Sequence, residues 1–507
     1  MSNYLIGVDI GTGSSKGVLI EASSGRIIAQ AAIPHGVSLP HPGWVEQDAE
    51  KIWWGEFVQI VQELLQESRV APQNILGIGV SGIGPCVLPV DEQFNPLRPA
   101  ILYGIDTRAT AEIEQYLQEL GEEEVFRRAG CELSSSAVAP KILWLFNNEP
   151  EIYKKARWFL SSQNFIVARL TGKASIDNYT ASTYSPIIDV EKRSWIDETT
   201  AGINPTAKLP EKYWTSEVVG GVTAQAAQIT GLREGTPVIA GTIDAAAEAV
   251  SIGNYSVGDT MGMFGSSNSI IAITDAYTRS KTFWGLNWLF PDQYAVVGGM
   301  ATVGSLTKWF LETIYHPDPE MEDQNPYAQM AELLNMSQPG ANNLVALPYF
   351  EGERTPINDP IARGAFFGLT MRHTQADLYR ALLEAVGFGI RHNLEKLAEE
   401  DIEVKLINAV GGGAKNLGWM QIISNIANID VRIPQGISGA AYGDAILAGI
   451  GVGLYQDASQ AKIWDKTAHY LKPDHADLEV YDRLYRVYRG LYEQTRKLLP
   501  LLCKTCN

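Results

Sequence analysis

Of the 507 residues, 45% are hydrophobic and 19% charged, the balance of a folded globular chain, which excludes a disordered or fibrous one. Lys and Arg number 40 against 58 Asp and Glu, a formal charge of −18. This acidity, with no basic patch in the sequence, sets nucleic acid and anionic membrane surfaces aside as partners. At roughly 150 residues per domain, the length suits two large domains or three smaller ones.

In chain order, Tyr4 to Ile10 is an apolar run, Gly11 to Ser15 a Gly/Ser turn, Lys16 to Glu21 a second strand and Ile27 to Ile33 a third, which predicts an antiparallel meander. Asp48 to Ser68 places Ile52, Trp53, Phe57, Ile60, Val61, Leu64 and Leu65 at helical spacing behind an Asp cap. Strands are expected at 75–80 and 236–240, with helices at 109–120, 139–147, 164–170 and 245–252. Alternating strands and helices define an α/β protein.

From Val257 the pattern begins again: a strand at 259–264, a turn at Gly265-Ser266-Ser267 and a strand at 269–274. This weak repeat in order predicts two related α/β domains, 1–250 and 251–507, with a cleft between them. Later, 404–410, the loop Gly411-Gly412-Gly413, a helix at about 416–428 and a strand at 430–433 form one more unit. Pro317 to Pro326 reads as an acidic surface loop, and Tyr481, Leu484, Tyr485, Tyr488, Leu491 and Tyr492 as the packing stripe of a C-terminal helix at about 476–499.

Residue 439 to 455, the longest mostly apolar stretch, is Gly-rich, contains Asp444 and is too short for a bilayer span. The N-terminal residues lack the pattern of a secretory leader, so a cytoplasmic location is expected. Four cysteines, Cys86, Cys131, Cys503 and Cys506, are too few for a disulfide framework, and seven scattered histidines show no zinc-binding spacing. The closing C-x-x-C reads as a frayed tail.

Two features point to chemistry. Asp9 is an acid inside an apolar strand, followed at once by Gly11-Thr12-Gly13-Ser14-Ser15-Lys16. Such a turn can cradle phosphate on backbone amides while Asp9 faces a magnesium ion, or it is a plain hairpin with Asp9 bonded to turn amides. Asp244 stands between a strand and an Ala-rich helix, as an N-cap or as a general base at the carboxyl end of a strand. The Walker spacing fails because Gly17 follows Lys16. Dinucleotide fingerprints fail at Lys16 and at Asn416, where the third glycine should stand.

These pieces resemble the FGGY family of carbohydrate kinases, within the actin, heat-shock chaperone and hexokinase fold group. Asp9-Ile-Gly-Thr-Gly-Ser-Ser-Lys16 looks like the family's first phosphate loop, Pro42 to Asp48 like its early substrate-side segment, and Ala100 to Arg108 like its "aIlWnDtR" stretch. Pro140-Lys141-Ile142-Leu143-Trp144 follows the first family signature, with Val138 where Pro, Ser or Thr is usual. Gly364, Phe366, Gly368-Leu369, Asp377-Leu378 and Ala381-Leu382-Leu383-Glu384 fit the second. Leu347 to Pro356 is similar to the "LPyl.GERtP" of pentulose kinases, and Gly411 to Asn416 to the adenosine loop.

The resemblance implies two ribonuclease-H-like (actin/hexokinase-type) domains around an interdomain cleft, and ATP-dependent phosphorylation of a primary hydroxyl on a small sugar or polyol, xylulose first. It implies Asp244 as catalytic base and Asp9 on magnesium. Thr12, Gly13, Ser14, Lys16, Gly265, Ser266, Gly304, Gly412, Gly413 and Asn416 would contact ATP, and Gly82, Ile83, Asp106 and Asp244 the acceptor. Departures fall on the acceptor side: Gly82-Ile83-Gly84-Pro85-Cys86 replaces Gly-Gln-Met-His-Gly, Ala245 follows the catalytic acid, and Gly265-Ser266-Ser267-Asn268 replaces Gly-Thr-Ser-Gly. Ribulose, gluconate, glycerol and erythritol therefore stay as alternative acceptors, and a nucleotide-gated protein without kinase activity as the alternative of another class. A homodimer is an admissible assembly.

Overall fold

A computed structural model describes residues 3–316, 325–435, 439–464 and 469–502. The C-x-x-C and residues 317–324 of the expected acidic loop lie outside them. Asn325, by contrast, caps a helix at Pro326–Leu333 with its side chain on the Tyr327 amide. Proline suits that first helical position because its missing N–H has no intrahelical partner to lose.

Strand β1 (Tyr4–Ile10) is buried over almost its whole length. It pairs antiparallel with β2 (Ser14–Glu21), and β2 with β3 (Ile27–Pro34), which is the expected meander. On its other side β1 pairs parallel with β4 (Ile75–Gly82). Next comes β6 (Pro237–Ile239), parallel to β4, and β5 (Val218–Gly221) closes the edge antiparallel. The short β7 (Thr242–Ile243) runs beside the end of β4.

The second sheet repeats that order. Strand β8 (Thr260–Phe264) forms a hairpin with β9 (Asn268–Thr274), continued by β11 (Tyr294–Gly298) and β10 (Trp284–Asn287). Across β8 lie β12 (Leu406–Val410) and β13 (Asp430–Ile433), both parallel, then the antiparallel β14 (His469–Leu471). From β3 across to β5 the pairings run antiparallel twice, parallel twice and antiparallel, and the same run recurs from β11 to β14 with β10 added at the edge, which makes the repeat structural.

Helix α1 (Gly55–Ser68) covers β2 and β3 with Phe57, Ile60, Val61 and Leu64, each fully buried. Burial of one such side chain is worth about 1.5–3 kcal/mol. Asp48 accepts the Glu50 and Lys51 amides as expected, but a wider π-helical segment, Ala49–Trp54, precedes α1. The next helices fall within two residues of expectation: α2 (Thr110–Leu120), α3 (Val138–Asn148), α4 (Ser162–Thr171) and α5 (Asp244–Ser251). The second half adds α6 (Gly304–Thr313), α7 (Gln375–Glu399), α8 (Leu417–Ala427), α9 (Ala440–Gly451) and α10 (Leu478–Thr495). The tyrosine stripe of α10 packs on Phe388 of α7 and on Tyr349.

The apolar 439–455 stretch contains α9, which crosses between the lobes and lies on β1, β4 and α5. Its approach depends on small residues: a Cβ on Gly443 would overlap the Ala247 carbonyl, and one on Gly79 the Asp444 carbonyl. Among the described residues no helix is long and apolar enough to cross a membrane.

Candidate active site

The first hairpin places Asp9 opposite Lys16, so the two side chains share one face of the sheet. Ser81 on β4 sits beside Asp9 in register and turns its hydroxyl toward it, Oγ lying 3.4 Å from Asp9 Oδ1. Burial raises Asp9 to about 6, against the opposing pull of Lys16, the Ser81 hydroxyl and His35. The turn is braced from outside. His35 Nε2 is 2.9 Å from the Gly11 carbonyl and its Nδ1 2.7 Å from Glu56 Oε2, while Gln47 donates to the Thr12 carbonyl and accepts from the Trp53 indole. A Cβ on Gly13 would meet nothing within 4 Å, so the loop's outer side is open. Thr12 Oγ1 lies 3.3 Å from the Tyr103 hydroxyl, which links the hairpin to the neighbouring cavity.

That cavity, of about 240 Å³, is formed by both halves of the chain: Gly84, Pro85, Tyr103, Tyr179 and Asp244 on one side, Ser269, Trp284, Leu286, Val297 and Arg354 on the other. Asp244 opens α5 as its first helical residue, with Ile243 in the N-cap position, and one carboxylate oxygen accepts the Ala245 amide at 2.7 Å. Burial, then the carboxylates of Asp9 and Glu248, raise Asp244 to about 8; the Ala245 amide and Lys16 pull the other way. One helical turn on, burial and then Asp9 raise Glu248 to about 7. Asp444 of α9 is fully buried, its Oδ2 accepting the Ser81 hydroxyl at 2.7 Å and its Oδ1 left without a partner. Burial, with Asp9 and Asp244 adding to it, holds Asp444 well above the usual carboxylate range.

The second hairpin forms a separate cleft of about 1020 Å³. Gly265, Ser266, Gly304, Gly412, Gly413 and Asn416 all line it. The Val303 and Ser305 amides donate to the Ser266 carbonyl and the Gly304 amide to that of Gly265, which ties the hairpin to the start of α6. The fit at Gly304 is close, since a Cβ there would overlap the Gly265 carbonyl. Asn416 caps α8 through the Trp419 amide, and a Cβ on Gly412 would meet open space.

On the acceptor side the structure redirects the sequence reading. Asp106 lines none of the cavities described here. Its carboxylate is taken up by the Arg108 guanidinium and the Val45 amide, all three fully or almost fully buried, so its visible work is to hold this wall together. Ile83 is buried, with its amide on the Ile10 carbonyl and its carbonyl accepting Ser162 Oγ; Gly82 ends β4 against Ser162. The cavity wall starts one residue later, at Gly84 and Pro85. The sequence reading missed Tyr103 and Arg354 in the wall and Lys141 beneath it. Fully buried, Lys141 donates to the Tyr103 and Ser135 carbonyls, and burial lowers it to about 8. Arg354 lies in the Leu347 to Pro356 motif and Lys141 in the first signature, so both were visible as motif letters with no geometry attached.

Two mixed sheets of like pairing order, each with a Gly/Ser turn between two central strands, and a cavity with Asp244 in its wall joining the two halves, define a two-lobed α/β protein. The comparisons narrow this further. Residues 4–251 match the N-terminal domain of the FGGY family of carbohydrate kinases and residues 255–452 its C-terminal domain, so the chain belongs to that family and is a sugar kinase. It is 27% identical over 494 residues to a xylulose kinase of Staphylococcus xylosus, covering 97% of this chain and all of that one. It is also 27% identical over 463 residues to a gluconokinase of Bacillus subtilis, covering 90% of this chain and 88% of that one. The crystal structure of a xylulose kinase from Rhodospirillum rubrum aligns with a TM-score of 0.89 at 31% identity, over 98% of this chain and all of that one.

Proposed function

We propose that the chain transfers the γ-phosphoryl group of ATP to a primary hydroxyl of a small keto-sugar or polyol, with xylulose the first candidate. The observation that carries this reading is Asp244, whose carboxylate opens into a cavity shared by both lobes. There it takes the proton from the acceptor hydroxyl. The acceptor oxygen forms a bond to the γ-phosphorus as the bond between that phosphorus and the β,γ-bridging oxygen breaks, and the electron pair leaves with ADP. Thr12, Gly13, Ser14 and Lys16 would hold the terminal phosphates, Gly265, Ser266 and Gly304 the other flank of the chain, and Gly412, Gly413 and Asn416 the adenosine.

The donor set supports magnesium carried with the nucleotide. Asp9, Asp244, Glu248 and Asp444 act on one another electrostatically, with Lys16 opposing the first three, a set of neighbouring oxygens that a hard divalent cation would help to ionise. Among the described residues no three His, Cys, Asp or Glu side chains are grouped to cage an ion. Asp9 would therefore supply one oxygen, with phosphate and water completing the shell, the usual habit of magnesium. When bound, the ion supplies charge neutralisation on the transferring group.

The test is ADP release with Mg2+ and ATP across pentuloses, hexuloses, gluconate, glycerol and erythritol, with the phosphorylated product identified by mass. A sugar phosphate from a ketopentose supports the proposal. ATP hydrolysis indifferent to every acceptor, with no sugar phosphate, overturns it.

A further inference from the structure

Resting on that reading, we infer that Arg354 selects the acceptor by donating a hydrogen bond to its keto oxygen, so that ketoses are taken over the corresponding alditols. Among the described residues Arg354 is the one cation lining the cavity of about 240 Å³, where it shares the space with Asp244 and Glu132. It also lines an adjoining cavity of about 520 Å³, as do Tyr103, Glu132 and Trp284, so the guanidinium stands where the two spaces meet. One of its nitrogens is committed. Nη2 donates to the Asn268 and Met300 carbonyls, at 2.8 Å each, which fixes the side chain on the second lobe just past the Gly265-Ser266-Ser267 turn. The other two are not. Nε is shut off from solvent with no partner, and Nη1 makes no hydrogen bond among the described residues. Glu353, the acid whose charge Arg354 feels, spends one carboxylate oxygen on the Ala301 and Arg354 amides instead. Unmade hydrogen bonds on a largely buried cation are costly, and an oxygen of the acceptor would supply at Nη1 what the protein does not.

The rest of the lining indicates which oxygen. A hydroxyl donates as well as accepts, so the acceptor's hydroxyls are served by Asp244, Glu132 and the side chains of Ser136 and Ser269. A carbonyl oxygen only accepts and an arginine only donates, which makes the two complementary. A carboxylate would match the cation as well, but it would share the space with Asp244 and Glu132, and with Glu353 in the adjoining cavity. Reducing the ketone to an alcohol puts a proton on the oxygen that meets Arg354. The guanidinium cannot accept that proton, and Trp284, Leu286 and Val297 on the same wall offer it no acceptor side chain. A polar group left unpaired in this way costs enough to separate the two acceptors by about 10- to 100-fold.

The experiment measures kcat/KM with Mg2+ and ATP for D-xylulose against xylitol and D-ribulose against ribitol, with gluconate as the carboxylate probe, on the intact enzyme, Arg354→Lys and Arg354→Met. In the unaltered enzyme the ketose should lead by about 10- to 100-fold. Arg354→Met removes the donors and should bring that ratio to within about threefold, with Arg354→Lys, a shorter-reaching cation, in between and KM for ATP within about twofold in both. The quantity read is a ratio of two acceptors on one protein. Losing the anchor on the Asn268 and Met300 carbonyls would slow both acceptors alike and leave that ratio in place. A ratio unchanged across the three proteins, ketose and alditol turned over equally by the unaltered enzyme, or gluconate as the best acceptor overturns this inference and leaves the kinase reading standing. Absence of any phosphorylated product, with ATP still bound, overturns the kinase reading and this inference with it.

Discussion

Strands β1 and β8 hold the same place in sheets of like pairing order, yet they carry different residues. In β1, Asp9 precedes Ile10 and the turn at Gly11, faces Lys16 across the hairpin and has Ser81 beside it. In β8 the matching residue is Met263, which precedes Phe264 and Gly265, faces Ser269 and has Val410 beside it. On the proposed reading both hairpins approach phosphate through backbone. The N-terminal one adds charge and a path through Thr12 and Tyr103 to the acceptor cavity, whereas the C-terminal one adds only small residues and a wide cleft. One pairing order, used twice, would then put the reacting groups in the first lobe and the adenosine in the second, and substitutions in the two lobes should fail in different ways.

The largest expected failure is Asp244→Ala. Loss of a general base costs on the order of 10² to 10⁴-fold in turnover, while ATP affinity, for which Asp244 is proposed no contact, should stay within about twofold. Turnover by ADP release and affinity by nucleotide titration measure the two separately. Turnover unchanged in this variant would remove Asp244 from the reaction.

The next effect is in pH. Asp244 accepts a proton only when ionised, and burial with the neighbouring Asp9 and Glu248 carboxylates lifts it to about 8. The fraction able to act therefore rises with pH, and kcat/KM should climb about tenfold per unit below that value and level off above it. Removing one like charge in Asp9→Asn should move this limb to lower pH, because less repulsion opposes ionisation of Asp244. A limb that stays in place in Asp9→Asn would break the link between the two acids. For the C-terminal lobe the matching substitution is Gly304→Ala. Its Cβ would push the Gly265 carbonyl and the hairpin outward, so KM for ATP should rise about tenfold, a loss of ~1.4 kcal/mol in binding, with kcat altered far less.

Much of this division could be read before the fold was known. An acid in an apolar strand followed by small residues marked Asp9, and the recurrence of strand, small-residue turn and strand near 260 marked the second lobe. Local signals also gave α2 to α5 within two residues and the end of α1, but not the π-helical turn at Ala49–Trp54 that precedes it. Long-range facts stayed hidden. Nothing local shows that Asp106 spends itself on Arg108 and Val45, or that His35, Glu56 and Gln47 brace the first turn from positions up to 45 residues away in the chain. The helical role of 440–451 was equally opaque: its glycines read as a weak apolar run, because a small-residue contact surface has no period of its own until its partners β1, β4 and α5 are in place.

Glycine supplies the finest test of that last distinction. Gly443, in the helix between the lobes, faces the Ala247 carbonyl, whereas Gly490, inside α10, would have nothing within 4 Å of an added Cβ. At Gly443 the methyl must displace backbone, an overpacking cost of about 1–3 kcal/mol. At Gly490 the same methyl meets no obstacle and narrows the unfolded ensemble, a gain of about 0.4–1 kcal/mol. Urea unfolding of Gly443→Ala and Gly490→Ala should move the midpoint in opposite directions, with the smaller shift for Gly490→Ala. If both shifted downward together, the contrast between a helix fixed by close approach and one fixed by its tyrosine stripe would be wrong.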